Sequence, residues 1–428
     1  MNMYSQSSTR SEPVTQSGKF VYNALDSSEY IRLLLLWPSS TPGDGNLYGD
    51  LLPCHRSEGP TALIPFQPLS YTWGVEKATS TIFLANSAFS ASENNSESKP
   101  HSIGARTSRG AFPIRPNLEK ALRQLRHEQT PVILWVDALC INQEDHEEKG
   151  AQVWHMDHVY RDRVLHIWIG EESENSNLAI DMIRGWTRIC LSRQTAPGTS
   201  IEDETQDVEG AKKEFHGSEL SNQAHWQALW DLIHRPWFSR RWIVQECVLS
   251  SPNKTFHVGD QTFTWIQLTA LLSSSQKPNH PWNIFGIKGK IKTNFCVEDT
   301  DHMHVLPPVQ DRDESVKHLM SACNDYIDGR KASLTLESLL GRFCSFESMD
   351  PKDGIYAFTS MASDIEKSEW KPDYSSHVTP KDIYARAARH IVQNSKSMDI
   401  LGRSRSSHMI VRMLEDGSVD PLWVPWFG

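Results

Sequence analysis

The sequence predicts an α/β protein, with a largely parallel β-sheet flanked by helices and a mostly helical C-terminal region. Between residues 117 and 190, apolar runs of strand length alternate with segments whose apolar residues recur at helical spacing. Short links join these segments, and such alternation is typical of a parallel sheet whose crossovers are helices. After residue 250 the pattern is weaker, and most of the segments with recognisable spacing are helical.

Strands are predicted where Leu, Ile, Val and aromatic residues form short uninterrupted runs, because the strands of a covered sheet are buried on both faces. The predicted strands are residues 30–37, 69–73, 80–85, 132–138 and 164–170, with a further strand pair over 254–265. Residues 38–60 contain several Gly, Pro and Asp residues, which predict a loop.

Helices are predicted where apolar residues share one face, as Leu118, Ala121, Leu122 and Leu125 do. The predicted helices cover residues 117–126, 144–161, 178–190, 226–233, 240–249, 315–328, 333–343 and 379–394. Acidic residues crowd the first turns of the second of these helices, where the helix dipole favours negative charge. Residues 274–314 are predicted to be irregular.

Composition divides the chain into three parts. Residues 1–19 are polar and Ser-rich and predict a disordered N-terminus. Residues 20–250 form the predicted α/β domain, with insertions at about 86–111 and 193–222. Residues 251–428 form a mixed, mainly helical region, and its apolar ending predicts that the natural chain continues further.

Charge and cysteine content exclude several classes of protein. The net charge is −10, from 43 basic and 53 acidic residues, which argues against nucleic-acid binding through bulk charge. The seven cysteines form no CxxC pair and are odd in number, so a reducing compartment is expected. Neither a signal peptide nor an apolar run of about 20 residues is present, which predicts a cytoplasmic protein without a membrane span.

The end of the predicted strand 132–138 carries the most informative group of polar residues. Asp137, Cys140, Asn142 and Gln143 mark the passage from a buried strand to a helix, where open α/β sheets usually bind ligands. Asp137 could bind a ligand hydroxyl or act as a base, and the two amides could contact a polar ligand. The structural alternative is that Asn142 caps the next helix and Asp137 binds loop amides.

Cys140 is a weaker candidate for a catalytic nucleophile. A thiol nucleophile needs a base, and His146, His155 and His158 follow it closely in sequence. The alternative is an inert, buried cysteine. No third ligand accompanies His155 and His158, so no metal site is predicted.

Two further segments carry candidate binding residues. Arg240, Trp242, Gln245 and Glu246 lie in a segment where arginine, indole and carboxylate could bind a flat anionic ligand such as a nucleotide. The alternative is an Arg–Glu pair that anchors the helix, with the tryptophan in the core. The other segment supplies Tyr71, Trp73 and Gly74 at a strand end, which would suit a pocket wall.

Taken together and in their order along the chain, the three segments resemble the heterokaryon-incompatibility (HET) domain of filamentous fungi. The resemblance is carried by residues 69–74 (Leu-Ser-Tyr-Thr-Trp-Gly), residues 134–143 (Leu-Trp-Val-Asp-Ala-Leu-Cys-Ile-Asn-Gln) and residues 237–246 (Trp-Phe-Ser-Arg-Arg-Trp-Ile-Val-Gln-Glu). Glu148, Gln152, Met156 and Tyr160 extend the second block. Arg241 departs from the family pattern, as do the two insertions.

The resemblance implies a role in fungal nonself recognition, in which HET-domain proteins trigger programmed cell death. It also implies a flavodoxin-like fold related to TIR domains, some of which cleave NAD at the glycosidic bond. Such cleavage needs a carboxylate to stabilise an oxocarbenium-like transition state, and Asp137 and Glu246 are the candidates. NAD is therefore the candidate substrate, and no other cofactor is predicted.

The resemblance also implies partners. An incompatibility partner protein is expected, as is self-association into a homo-oligomer. The alternative function is a non-enzymatic signalling module that acts through these contacts, with the three segments serving only to hold the fold together.

Overall fold

The computed structural model describes residues 16–39, 45–56, 65–87, 109–194, 203–274 and 312–395. The chain divides into two compact units, Met1–Gln152 and Val153–Gly428. The N-terminus was predicted to be disordered over residues 1–19, but residues 16–19 form a strand, and residues 1–15 lie outside the described residues. The predicted continuation of the chain beyond residue 428 also lies outside them. Each unit is an α/β arrangement in its own right, and the helical content of residues 312–395 is as expected.

The first unit contains a sheet of seven described strands in the order β1-β6-β5-β3-β2-β7-β4. These strands are β1 (Gln16–Lys19), β2 (Tyr30–Leu36), β3 (Leu47–His55), β4 (Gln67–Tyr71), β5 (Ser80–Asn86), β6 (Arg109–Ile114) and β7 (Val132–Trp135). The helices of this part are α1 (Pro116–Leu125), α2 (Asp137–Cys140) and α3 (His146–Trp154), which begins at the end of the unit.

Both kinds of strand pairing occur in this sheet. Three pairs are parallel, namely β1–β6, β3–β5 and β4–β7. Strand β2 is antiparallel to both β3 and β7, and β5 is antiparallel to β6. Residues 31–36 of β2 are all buried, as expected for a central strand.

Strand β3 lies inside the predicted loop 38–60, so that prediction was wrong for residues 47–55. The residues that indicated a loop have packing roles instead. A Cβ on Gly49 would lie 2.7 Å from Leu34 Cδ1 and 3.2 Å from the Leu35 carbonyl oxygen, so glycine permits the neighbouring strand to pack closely there. The Asp50 carboxylate is fully buried and accepts hydrogen bonds from Arg109 Nη2 at 2.8 Å and Trp37 Nε1 at 3.1 Å.

The predicted strand 132–138 and helix 144–161 are each divided. Strand β7 ends at Trp135, and α2 follows because the Val136 carbonyl accepts hydrogen bonds from Cys140 N at 2.7 Å and Leu139 N at 3.0 Å. The helix is interrupted at His155, where φ is −109° and ψ is 7°. Because β7 ends early, Asp137 is the first residue of the single helical turn α2.

The second unit contains three described strands, β8 (His166–Trp168), β9 (Thr255–Val258) and β10 (Gln261–Thr264). Strand β9 is parallel to β8 and antiparallel to β10. The helices are α4 (Met156–Tyr160), α5 (Ser176–Gln194), α6 (Asp203–Gly217), α7 (Gln223–Ile233), α8 (Ile243–Leu249), α9 (Trp265–Ser274), α10 (Arg312–Ile327), α11 (Leu336–Arg342), α12 (Asp353–Thr359) and α13 (Pro380–Ser395). Within the ranges that the structure describes, every helix is too short or too polar to cross a bilayer.

Aromatic side chains form the core around β9. The Phe256 ring stacks on Phe263 with centroids 4.7 Å apart and on Phe238 at 5.9 Å. Trp237 meets Phe256 edge to face at 5.3 Å. Such pairs add about 0.5–1.5 kcal/mol each to the effect of burial. The segment before α8 is therefore anchored by its aromatic residues.

A buried histidine pair joins β8 and β9, and we expect it to make the protein acid-sensitive. His166 Nδ1 and His257 Nε2 lie 2.8 Å apart. Burial, followed by the neighbouring His166, lowers the pKa of His257 to about 4 from the usual 6.5. A histidine with a lowered pKa stabilises the fold above pH 6.5, and that contribution is lost as the pH falls towards 4.

Between pH 7 and pH 5 this effect should lower the free energy of unfolding by about 2 kcal/mol, as measured by urea denaturation. The His257→Gln variant keeps a polar group beside His166 but does not titrate. It should lose markedly less stability over the same interval. An equal loss in both proteins would show that other groups cause the acid sensitivity.

Candidate functional site

The parallel pair β4–β7 brings the first two sequence blocks to one edge of the first unit. Gln67 pairs with Leu134 and Pro68 with Trp135. Because the strands run in the same direction, their carboxyl ends lie together, and both polar segments leave the sheet there. The sequence prediction placed a ligand site at this kind of edge.

Trp73 and Asp137 are in direct contact at this edge. Trp73 Nε1 donates a hydrogen bond to Asp137 Oδ2 at 3.0 Å, and Ala138 N donates one to Asp137 Oδ1 at 2.7 Å. Both side chains are half-buried, so each keeps a face towards solvent. Gly74 follows with a φ of +75°, a left-handed conformation that favours glycine, so the chain can turn directly after Trp73.

Arg115 and Asn117 complete the edge, and the sequence prediction missed both. The Arg115 guanidinium carbon lies 5.9 Å from the centre of the Trp73 ring, and Nη1 donates to the Gly74 carbonyl. Asn117 Nδ2 donates to the Thr72 carbonyl at 2.6 Å. Residues 115–117 directly precede or begin a helix and match no binding pattern, so only the tertiary contacts identify them.

The loop after α2 is held in place by a buried ion pair. Arg32 and Glu148 are bidentate, with Nη1–Oε1 at 2.6 Å and Nη2–Oε2 at 3.0 Å. Arg32 Nη1 also donates to the Cys140 carbonyl at 3.3 Å, and Asn142 N donates to Glu148 Oε1 at 2.8 Å. The pair therefore fixes both ends of the turn that carries residues 140–142.

Asn142 and Gln143 are used to shape this loop. Asn142 Oδ1 accepts a hydrogen bond from Glu144 N at 3.3 Å, and Gln143 Nε2 donates to the Asp137 carbonyl at 3.0 Å. Both side chains are half-buried. Tyr71 is only 2% exposed and supports the site from within the sheet, so its predicted contact with a ligand is not supported.

The structure does not support a nucleophilic Cys140. The thiol is fully buried, and Val136 N donates a hydrogen bond to its sulfur at 3.4 Å. Burial raises the pKa of Cys140 to about 12, so the thiolate that a nucleophile requires is strongly disfavoured. Cys140 is thus an inert core residue, which was the alternative interpretation.

The third sequence block lies in the second unit, where its charges are paired internally. Arg240 Nη1 lies 3.2 Å from Glu246 Oε1, and Glu246 is only 1% exposed. Trp242 is buried, and its Nε1 donates to Asp353 Oδ2 at 2.9 Å. These contacts favour the anchoring alternative. The roles of Glu246 in catalysis, Arg240 in phosphate binding and Trp242 in stacking stay predictions.

Gln245 is also buried, at 1% exposure, and its Nε2 has no hydrogen-bond partner among the described residues. The Gln245 side chain therefore has no exposed surface with which to contact a ligand in the way predicted. The block as a whole matches the anchoring alternative.

Arg241 anchors the segment that follows α11. Its side chain is buried, with Nη2 donating to the Phe346 carbonyl at 2.5 Å and Nη1 to the Gly354 carbonyl at 3.3 Å. Its backbone N donates to the Glu347 carbonyl at 2.8 Å. Arg241 thus has a structural role, because its hydrogen bonds hold the backbone of this segment in place.

A cleft of about 450 Å³ lies elsewhere in the second unit, between α10 and α11. Its lining residues are His318, Thr335, Glu337, Ser338, Gly341 and Arg342. None of the predicted site residues borders it. Across the described residues, no group of three or more His, Cys, Asp or Glu side chains is placed to hold a metal ion.

The fold and site define an α/β protein with a half-exposed Trp–Asp pair at a carboxyl edge of its sheet. Residues 66–246 match the family model described as heterokaryon incompatibility protein (HET). The resemblance predicted from the three sequence blocks is thereby confirmed over these residues. The matched residues include parts of both units.

The chain is also similar to heterokaryon incompatibility protein 6, OR allele, of Neurospora crassa. The two are 24% identical over 419 residues, which cover 91% of this chain and 56% of that protein. The chain thus spans about half the length of the curated relative that it matches. No solved structure matches the chain.

Proposed function

We propose that this protein acts in heterokaryon incompatibility and triggers programmed cell death through a ligand site on its first unit. The HET match and the similarity to the Neurospora protein support the incompatibility role. The Trp73–Asp137 pair supports the ligand site, since an indole face beside a carboxylate suits a nucleobase and a ribose hydroxyl. NAD is the candidate ligand, because the family resemblance implies it.

Cleavage of NAD is the catalytic form of this proposal. Water would add to the ribose C1′ carbon as the bond between C1′ and the nicotinamide nitrogen breaks. The nitrogen keeps the electron pair and the water loses a proton to solvent, giving nicotinamide and ADP-ribose. In this proposal Asp137 would stabilise the positive charge that develops on the ribose. Cytoplasmic location, an incompatibility partner and self-association belong to the same proposal.

The second candidate function is non-enzymatic signalling through self-association or partner binding. The internal pairing of Arg240 with Glu246 and the burial of Cys140 favour it, because these residues then serve the fold alone. The two functions predict different behaviour of Asp137 variants.

Calorimetric titration with NAD tests the ligand site. We expect Asp137→Asn and Trp73→Leu to weaken NAD binding by about 10- to 100-fold, because each removes a contact of about 1–3 kcal/mol. Glu144→Gln, an exposed carboxylate on the same loop, and Cys140→Ala should bind NAD like the wild type. Release of nicotinamide from wild type but not from Asp137→Asn would support cleavage.

Two outcomes would contradict the proposed ligand site. If the wild type binds no NAD, the ligand site is ruled out. If Asp137→Asn unfolds the protein while Trp73→Leu binds NAD normally, the first two blocks serve the fold rather than a ligand. Expression of the same variants in a compatible fungal strain then tests signalling. A folded Asp137→Asn variant that still kills cells would favour the non-enzymatic function.

A further inference from the structure

We propose that Arg115 binds the phosphate of the nucleotide ligand, while Asp137 accepts a hydrogen bond from a hydroxyl of the same molecule. This assignment rests on the proposed function and names the ligand class of the first-unit site as a nucleoside phosphate. It replaces Arg240, whose guanidinium is paired with Glu246 at 3.2 Å.

The position of Arg115 is fixed by two neutral groups. The guanidinium lies over the Trp73 ring at 5.9 Å, and Nη1 donates to the Gly74 carbonyl. Neither contact neutralises its charge. Its side chain is half-exposed, and among the described residues no acceptor is assigned to its Nε and Nη2 groups. A planar guanidinium held in this way is prepared to bind phosphate oxygens in a bidentate manner.

Most other arginines of the first unit are already paired with carboxylates. These pairs are Arg32–Glu148, Arg56–Glu29, Arg109–Asp50 and Arg123–Glu119. Arg126 also contacts a carbonyl, that of Asn46, but it lies at the far end of α1, about 15 Å along the helix. Arg115 is therefore the arginine placed to offer its charge beside Trp73.

Trp73 connects the two charged groups of the site. Its indole N–H binds Asp137, and its ring lies below Arg115. A ligand bound beside this half-buried indole would be near both the Arg115 cation and the Asp137 carboxylate. A nucleoside phosphate meets both demands, because its phosphate accepts hydrogen bonds and its ribose hydroxyls donate them. A neutral nucleoside would satisfy only the carboxylate.

The test compares two ligands that differ in phosphate, NAD and nicotinamide riboside, by calorimetry on the full chain. We expect Arg115→Gln to weaken NAD binding by about 10- to 100-fold and to change riboside binding less than about twofold, because only the charge-assisted bonds to phosphate are lost. Arg115→Lys keeps the positive charge but lacks the planar guanidinium, so its NAD affinity should lie between those of the wild type and Arg115→Gln. NAD binding to wild type should also weaken with added salt more steeply than binding to Arg115→Gln.

Arg123→Gln provides the matched control, because Arg123 is an exposed arginine of the same helix that is paired with Glu119. It should bind both ligands like the wild type. If Arg115→Gln fails to fold, the Arg115→Lys comparison carries the test. The phosphate assignment alone is overturned if wild type and Arg115 variants bind NAD with equal affinity, or if the variants bind NAD and the riboside with equally reduced affinity. Absence of NAD binding in the wild type overturns the proposed function as well.

Discussion

Replacing Glu148 with leucine should lower the free energy of unfolding by about 3–5 kcal/mol. The change leaves the Arg32 guanidinium, whose side chain is 3% exposed, without its carboxylate partner. An uncompensated buried charge is among the most destabilising consequences of a single substitution. Asn142 N loses its acceptor as well, so the loop that positions Asp137 should loosen. Urea denaturation of the wild type and the variant would measure the difference in the free energy of unfolding.

Glu147→Leu is the matched control, because Glu147 is the exposed neighbour of Glu148 on the same helix. It should change stability by less than about 0.5 kcal/mol. The double variant Arg32→Met/Glu148→Leu should be more stable than Glu148→Leu alone, since it removes the orphaned charge. A double variant that is less stable than the single one would show that the contacts of Arg32 with backbone carbonyls dominate.

Replacing Asp353 with alanine should lower the free energy of unfolding by about 3–4 kcal/mol. Asp353 accepts hydrogen bonds from Trp242 Nε1 at 2.9 Å and from the Tyr374 hydroxyl at 2.6 Å. Both donors are buried, and each would be left unsatisfied at a cost of about 1–3 kcal/mol. Burial, with a further contribution from Asp353, raises the pKa of Tyr374 well above its usual value, so its hydroxyl remains a donor at neutral pH.

Asp353→Asn keeps the shape and one acceptor oxygen, so it should lose about half as much stability. Glu347→Ala, an exposed carboxylate in the preceding segment, should have little effect. Thermal and urea unfolding of the four proteins would rank them. A stable Asp353→Ala variant would mean that Trp242 is not anchored through this carboxylate and would reopen its predicted role in ligand binding.

The approximate positions of several strands were predictable, but their neighbours in the sheet were not. Apolar runs located β2, β4, β5 and β7 because local composition reflects burial on both faces. Strand β3 was missed because Gly49 and Asp50 are typical of loops. Their actual roles, close packing against Leu34 and an ion pair with Arg109, depend on strands that are distant in sequence.

The candidate site was predicted in part. Trp73 and Asp137 were both identified, and the parallel register of β4 with β7 brings them into contact. Arg115 was missed because a single arginine before a helix carries no distinctive pattern. Glu246 and Trp242 were overestimated because their residue types suit a ligand site, whereas both side chains are buried and bonded within the second unit.

The sequence by itself determined the α/β class, the match of residues 66–246 to the HET family model and the residue types available for chemistry. Tertiary structure decided which of those side chains keep an exposed face. The reason is that burial and hydrogen bonding are set by residues far apart in the chain: 64 positions separate Trp73 from Asp137, and 111 separate Trp242 from Asp353. The first contact leaves its indole half-buried, whereas the second holds a buried one inside the fold.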